Sequence, residues 1–159
     1  MTAPALTGAL VACPGLGCAA CGAGLAAEQA AAGVWAWVHA AARPPGCPGV
    51  VVPAVRVVYL CHLDPPYRHA RHYLGSADDL PRRLHRHAIG RGARLLAVAV
   101  AAGSHLVLAR LWVGDRDDEQ RRKRAHNAPR ACPLCTPYPA RPQRPATVQG
   151  VLALAGGAQ

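Results

Sequence analysis

A chain of 159 residues has room for one domain with a modest core and a small appendage. Its 18 Lys+Arg against 8 Asp+Glu give a formal charge of +10, which points to a polyanionic partner and away from an acidic surface of its own. No cationic stretch precedes the first apolar residues, which argues against a conventional secretory signal. Residues 8–27, though uncharged, are mostly Ala and Gly with Pro14 inside and make a poor bilayer span. Seven cysteines with no sign of export then read as reduced thiols, and a cytoplasmic chain is expected.

Residues 1–54 form an Ala/Gly/Pro-rich segment holding only one acid, Glu28, and one base, Arg43. A helix is expected at Ala26–Ala42, where Trp35, Val38 and His39 recur at helical spacing, before Pro44, Pro45 and Pro48 break the chain. A compact domain is expected over residues 55–127. Val57, Tyr59 and Cys61 alternate with Val58 and Leu60 as in a strand, with Cys61 a small core residue. Asp64, Pro65 and Pro66 make a turn, and Arg71–Gly75 is the antiparallel partner. Ser76 or Asp78 caps the next helix, and Pro81 favours the later start because proline is tolerated only in a first turn. Leu80, Leu84 and Ala88 give that helix one apolar stripe. Arg83 and His87 lie on its edge one turn apart, while Arg82, His85 and Arg86 face away. Gly90 and Gly92 stop it. Ala93–Ala102 favours a second helix ended by Gly103, His105–Val113 alternates as a third strand, and Asp115 or Asp117 caps a last helix running to about Asn127.

The expected class is therefore α+β: a small, mainly antiparallel three-stranded sheet flanked by helices. Residues 1–54 and 128–159 are expected to be irregular, the latter a Pro-rich tail carrying a cysteine pair. Charge outside the first segment is confined to Arg56–Arg144, as expected if that part of the chain meets nucleic acid. Arg68, Arg71, Arg82, Arg86, Arg91, Arg94 and Lys123 are the candidate phosphate contacts. Seventeen arginines against one lysine and no phenylalanine also suggest a coding bias, the weaker of the two readings.

Within this charged segment, Tyr59, Tyr73, Arg83, His87 and Glu119 are a plausible set for cutting a phosphodiester. Taken one at a time, each has a plainer explanation. A strand tyrosine usually packs, a helix arginine is usually solvated, and Glu119 can simply pair with Lys123 four residues on. Taken together, their spacing resembles the GIY-YIG nuclease superfamily, and the stretch YLGSADDLPRRLHRH is similar to phage homing endonucleases of that family. Val57-Val58-Tyr59 stands at the first motif with valine where the family has glycine. Tyr73-Leu74-Gly75 matches the second. Arg83, His87 and Glu119 fall on the family's helix arginine, a frequent histidine and its metal-binding glutamate. The resemblance implies a three-stranded fold over residues 55–127 and a DNA endonuclease using Mg²⁺ or Mn²⁺ on Glu119. In it Arg83 clamps the phosphate, Tyr59 and Tyr73 orient or deprotonate water, and His87 shuttles a proton. A catalytically idle DNA-binding module, or a zinc-dependent interaction protein, are the rival expectations.

Cys18-Ala-Ala-Cys21 and Cys132-Pro-Leu-Cys135 both have the spacing of half a zinc site. The two pairs can join into one four-thiolate structural zinc site. Alternatively, Cys132 and Cys135 recruit His126, or Cys13 joins the first pair.

Overall fold

The computed structural model describes residues 10–29 and 35–135. In chain order the elements are β1 (Leu10–Gly17), β2 (Gly24–Gln29), β3 (Trp35–His39), β4 (Val57–Tyr67), β5 (Ala70–Ala77), α1 (Leu80–Ala88), α2 (Arg94–Ala101), β6 (His105–Val113), α3 (Arg116–Arg124) and α4 (Ala128–Ala131). They make an α+β fold with two antiparallel three-stranded sheets, ordered β1-β2-β3 and β5-β4-β6.

The apolar run Val57–Leu63 explains why β4 is the central strand of its sheet. Successive side chains point to opposite faces. Val57, Tyr59 and Cys61 enter a core with Leu80, Leu84, Leu108 and Leu111, whereas Val58 and Leu60 pack with Trp112 and Cys132 on the other side. With both faces covered, the strand has no polar alternation to show. The hairpin turn comes later than Asp64–Pro66. Pairing slips between His62 and Tyr67, so the prolines sit in a bulged stretch that needs no ladder N–H, and Arg68 turns the chain with φ 54°.

α1 is capped by Asp79, whose side chain accepts from the Arg82 N–H at 3.1 Å, with Pro81 in the first turn. Neither expected cap is used: Ser76 is still in β5, and Asp78 forms an ion pair with Arg56 at 2.6 Å. The buried stripe is Leu80, Leu84 and His87, with Ala88 exposed. α3 begins with a reciprocal capping box between Asp115 and Asp118 and ends at Arg124, short of Asn127, leaving α4 as a separate turn.

The described part of the N-terminal segment forms a sheet in place of the expected irregular stretch with a helix: residues 26–29 and 35–39 of the expected helix lie in β2 and β3, and residues 30–34 lie outside the described residues. Alanine's helix propensity is a weak prior, and burial overrides it here. Leu25, Ala26 and Ala27 are completely enclosed, and Ala27 and Gln29 pair with Trp37 and Trp35 across β2–β3. β1 runs along β6, and one core extends from Cys13, Leu16, Leu25 and Trp35 to Tyr59 and Leu111. The C-terminal cysteine segment is also packed. α4 lies on the Val58, Leu60 and Trp112 face, and Cys132 is fully buried there. The rest of the expected tail, residues 136–159, lies outside the described residues. Among the described residues no helix is long and apolar enough to cross a membrane.

Candidate active site and metal-binding groups

Tyr59 stands opposite Gly75 across β4–β5, and its ring lies on the glycine. A Cβ at position 75 would sit 2.5 Å from Tyr59 Oη and 2.9 Å from the Tyr73 ring. The glycine is therefore required by close approach. Tyr73 shares the face of Gly75, with its ring centroid 6.2 Å from that of Tyr59. α1 crosses this face and delivers two groups one turn apart. His87 Nε2 is 2.7 Å from Tyr59 Oη, and Arg83 Nε donates to the same oxygen at 3.4 Å. From the far side the Ala93 N–H donates to His87 Nδ1 at 3.3 Å. That bond keeps the proton of the neutral ring on Nε2, so the imidazole donates to the phenol. The loop from α1 to α2 closes so tightly on this ring that any side chain at Gly92 would overlap Nδ1.

This buried cluster has a defined charge state. Burial, helped by the charges of Arg83 and Arg86, pushes the His87 pKa down to about 4, so the ring is neutral at neutral pH. Burial raises the Tyr59 phenol well above its usual range, against the opposing Arg83 bond, so Tyr59 is protonated as it stands. Deprotonation of water by Tyr59 would have to overcome that burial.

Glu119 lies on α3, 9 % exposed. Ser76 Oγ donates to its Oε2 at 2.5 Å, and Lys123 pairs with Oε1. Burial raises the carboxyl pKa, but the Lys123 and Ser76 bonds outweigh it and the net shift is downward, which leaves a carboxylate. By the alternation of the strands, Ser76 points to the face opposite Gly75. Glu119 therefore approaches from the other side of the sheet, where Arg122 of the same helix lies 4.1 Å over the Trp112 ring. The two sides meet at the β5 edge in a cleft of about 650 Å³ between α1 and α3. Arg56, Arg82, Arg83, Arg86, Arg116 and Lys123 line it against Asp78, Asp79 and Glu119.

Of the expected site residues, Tyr59, Tyr73, Arg83 and His87 form one cluster. Glu119 joins Arg83 only across the cleft, and Tyr59 and His87 lie buried behind the wall. Arg82, Arg86 and Lys123 line the cleft, while Arg71, Arg91 and Arg94 do not. Sequence reasoning missed Arg56, Arg116 and Ser76. The available signal for Ser76 was its place directly after Gly75, at the end of an edge strand.

Two further groups of side chains can each hold a metal ion such as zinc: Cys18, Cys21, His39 and Cys47, and His62, His72, Cys132 and Cys135. Within each group the ligand atoms all lie within 4.8 Å of one another. The two cysteine pairs do not join each other, because each folds against a different sheet, and neither His126 nor Cys13 takes part. The four completing residues were missed because their approach depends on pairing register. His62 and His72 are directly opposite across β4–β5, and His39 ends β3.

Comparison with models of protein families, with curated proteins and with solved structures gives no match.

Proposed function

We propose that the protein is an endonuclease of the GIY-YIG type that hydrolyses phosphodiester bonds in DNA with one Mg²⁺ or Mn²⁺, acting in the cytoplasm, where free cysteines such as these persist. The observation that carries this reading is the Tyr59–His87–Arg83 hydrogen-bonded cluster set behind a cationic cleft whose opposite wall holds an ionised glutamate. The order strand, strand, helix, helix, strand, helix over residues 57–124 is the order the resemblance implies.

Each residue has a task in such a reaction. The cations along the cleft attract and align the phosphate backbone. Arg83 lines the cleft with Tyr59 fixing its Nε, so its guanidinium is held where it can neutralise the phosphoryl oxygens as charge develops. Tyr59, held by neutral His87, sets the position of Arg83. Tyr73, next to both rings and only partly buried, is the phenol better placed to orient a water. The carboxylate of Glu119 suits a hard cation that takes oxygen ligands and keeps several waters. Lys123, a flexible side chain, would have to leave Oε1 for the ion to bind. When bound, that ion would lower the pKa of a coordinated water and share the phosphoryl charge.

The test is nicking of supercoiled plasmid in Mg²⁺. Wild type should nick, Arg83→Ala should be slower by roughly 10²–10³, the scale for removing one stabilising donor, and Glu119→Ala should be inactive while still binding DNA. Nicking by Glu119→Ala at the wild-type rate would remove the metal-nuclease reading and leave a DNA-binding module.

A further inference from the structure

The eight sulfur and imidazole ligands described above belong to neither wall of the cleft, and their geometry is specific. A tetrahedral zinc with bonds of about 2.3 Å to sulfur and about 2.0–2.1 Å to nitrogen has S···N edges near ~3.6 Å and N···N edges near ~3.3 Å. In the first group Cys21 Sγ and Cys47 Sγ stand 3.4 and 3.6 Å from His39 Nε2. In the second, His62 Nδ1 is 3.4 Å from His72 Nε2, and Cys132 Sγ and Cys135 Sγ are 3.6 and 3.5 Å from His62 Nδ1. Cys135 Sγ is 3.2 Å from His72 Nε2. All but this last, shorter separation lie close to the edges of a tetrahedron that a zinc ion fills.

The backbone around each pair is shaped for the same purpose. The Gly22 N–H donates to the Cys18 carbonyl at 2.7 Å and Gly22 turns with φ 74°, folding the Cys18–Cys21 loop so that both sulfurs face one way. The Val51 N–H donates to Cys18 Sγ at 3.4 Å, a bond that favours thiolate over thiol. In both pairs the second cysteine's N–H also donates to the first one's carbonyl, Cys21 to Cys18 at 3.3 Å and Cys135 to Cys132 at 3.2 Å.

We propose that the protein binds two structural zinc ions, one held by Cys18, Cys21, His39 and Cys47 and the other by His62, His72, Cys132 and Cys135. Sulfur and imidazole donors select zinc over Mg²⁺ or Ca²⁺, and four protein ligands leave no open position for substrate, so the sites are structural. The first ion ties the β1–β2 turn to the end of β3 and to the loop that leads toward β4. The second ties the segment after α4 to the β4–β5 hairpin. Residues 128–135 bury few large side chains, so an ion there supplies what apolar area does not. This assignment does not depend on the nuclease reading.

The test is zinc content of the full chain, purified without a histidine tag under reducing conditions. Two zinc ions per chain are expected, falling to one in Cys47→Ser and one in Cys135→Ser. None or one in the wild type, or two retained in either variant, overturns the proposal. In case a variant fails to fold, cobalt(II) titration of metal-stripped wild type gives an independent reading. Thiolate-to-cobalt charge-transfer bands and intense d–d bands of tetrahedral cobalt should rise to an end point at two equivalents and disappear on adding zinc. An end point at one equivalent, or an octahedral spectrum, overturns it as well.

Discussion

Gly75→Ala isolates the contact on which the tyrosine cluster depends. In an unobstructed strand, replacing glycine by alanine removes backbone entropy from the unfolded chain and stabilises by roughly 0.5–1 kcal/mol. Here the added methyl would stand 2.5 Å from Tyr59 Oη and 2.6 Å from Tyr59 Cζ, inside any permitted approach. Tyr59 is fully buried between Gly75, His87 and Arg83 and has nowhere to retreat. Overpacking of this kind costs about 1–3 kcal/mol, and breaking the buried Tyr59–His87 bond would add to it. The sign of the change is therefore reversed, to a net loss of about 1–3 kcal/mol. Urea unfolding of wild type and variant measures it, and a melting temperature lower by roughly 2–4 °C per kcal/mol should accompany it. Combining Gly75→Ala with Tyr59→Leu should recover part of the loss, since the shorter side chain vacates the overlapped volume. A Gly75→Ala protein as stable as wild type or more so would mean that the Tyr59 ring does not lie on Gly75, and the reasoning about the cluster would fail with it.

Acid should destabilise the fold through His87. It is neutral when folded, with a pKa of about 4 beside Arg83, Arg86, Tyr59 and Tyr73, but ordinary when unfolded, so its contribution is complete above pH ~6.5 and is lost as pH falls toward 4. The loss is on the order of 3 kcal/mol, since the ring is fully enclosed. His87→Gln should lack this share of the pH dependence measured by urea unfolding, and identical profiles for variant and wild type would refute the assignment. Salt dependence of duplex binding should separate cleft cations from the rest: Arg82→Gln with Arg116→Gln should flatten the log K against log salt slope by about 1.8, while Arg91→Gln with Arg94→Gln leaves it unchanged. Equal flattening in both doubles would mean that binding follows net charge and not the cleft.

What could be read in the sequence divides according to how local its cause is. β4, α1, α2, β6 and α3 come from two- and three-to-four-residue periods, from Gly90 and Gly103, and from an acidic cap before α3, all of which act within a few residues. β1–β3 were illegible because Ala and Gly carry little strand signal. The one useful pattern, Trp35, Trp37 and His39 at period two, competes with a helical reading of the same residues. For the candidate site, the Tyr59–Tyr73–Arg83–His87 cluster was foreshadowed by spacing along one hairpin and one helix. The approach of Glu119 from the opposite face was not, since it depends on where α3 docks. The histidines of the two metal groups were hidden for a similar reason: His62 and His72 become neighbours only through strand register.

The common core of the two sheets has a consequence for the order in which the chain can mature. β1, β2 and β3 pair in chain order, β1 with β2 and β2 with β3, and can form early from local contacts, whereas β4 cannot complete its sheet until β6 has been made, long after it in the chain. In that interval Leu16, Leu25, Ala27 and Trp35 present an apolar surface whose cover, supplied by Tyr59, Leu108 and Leu111, has not yet assembled. A nascent chain halted before β6 thus carries a half whose apolar side still lacks Leu108 and Leu111, the kind of exposed surface that favours aggregation.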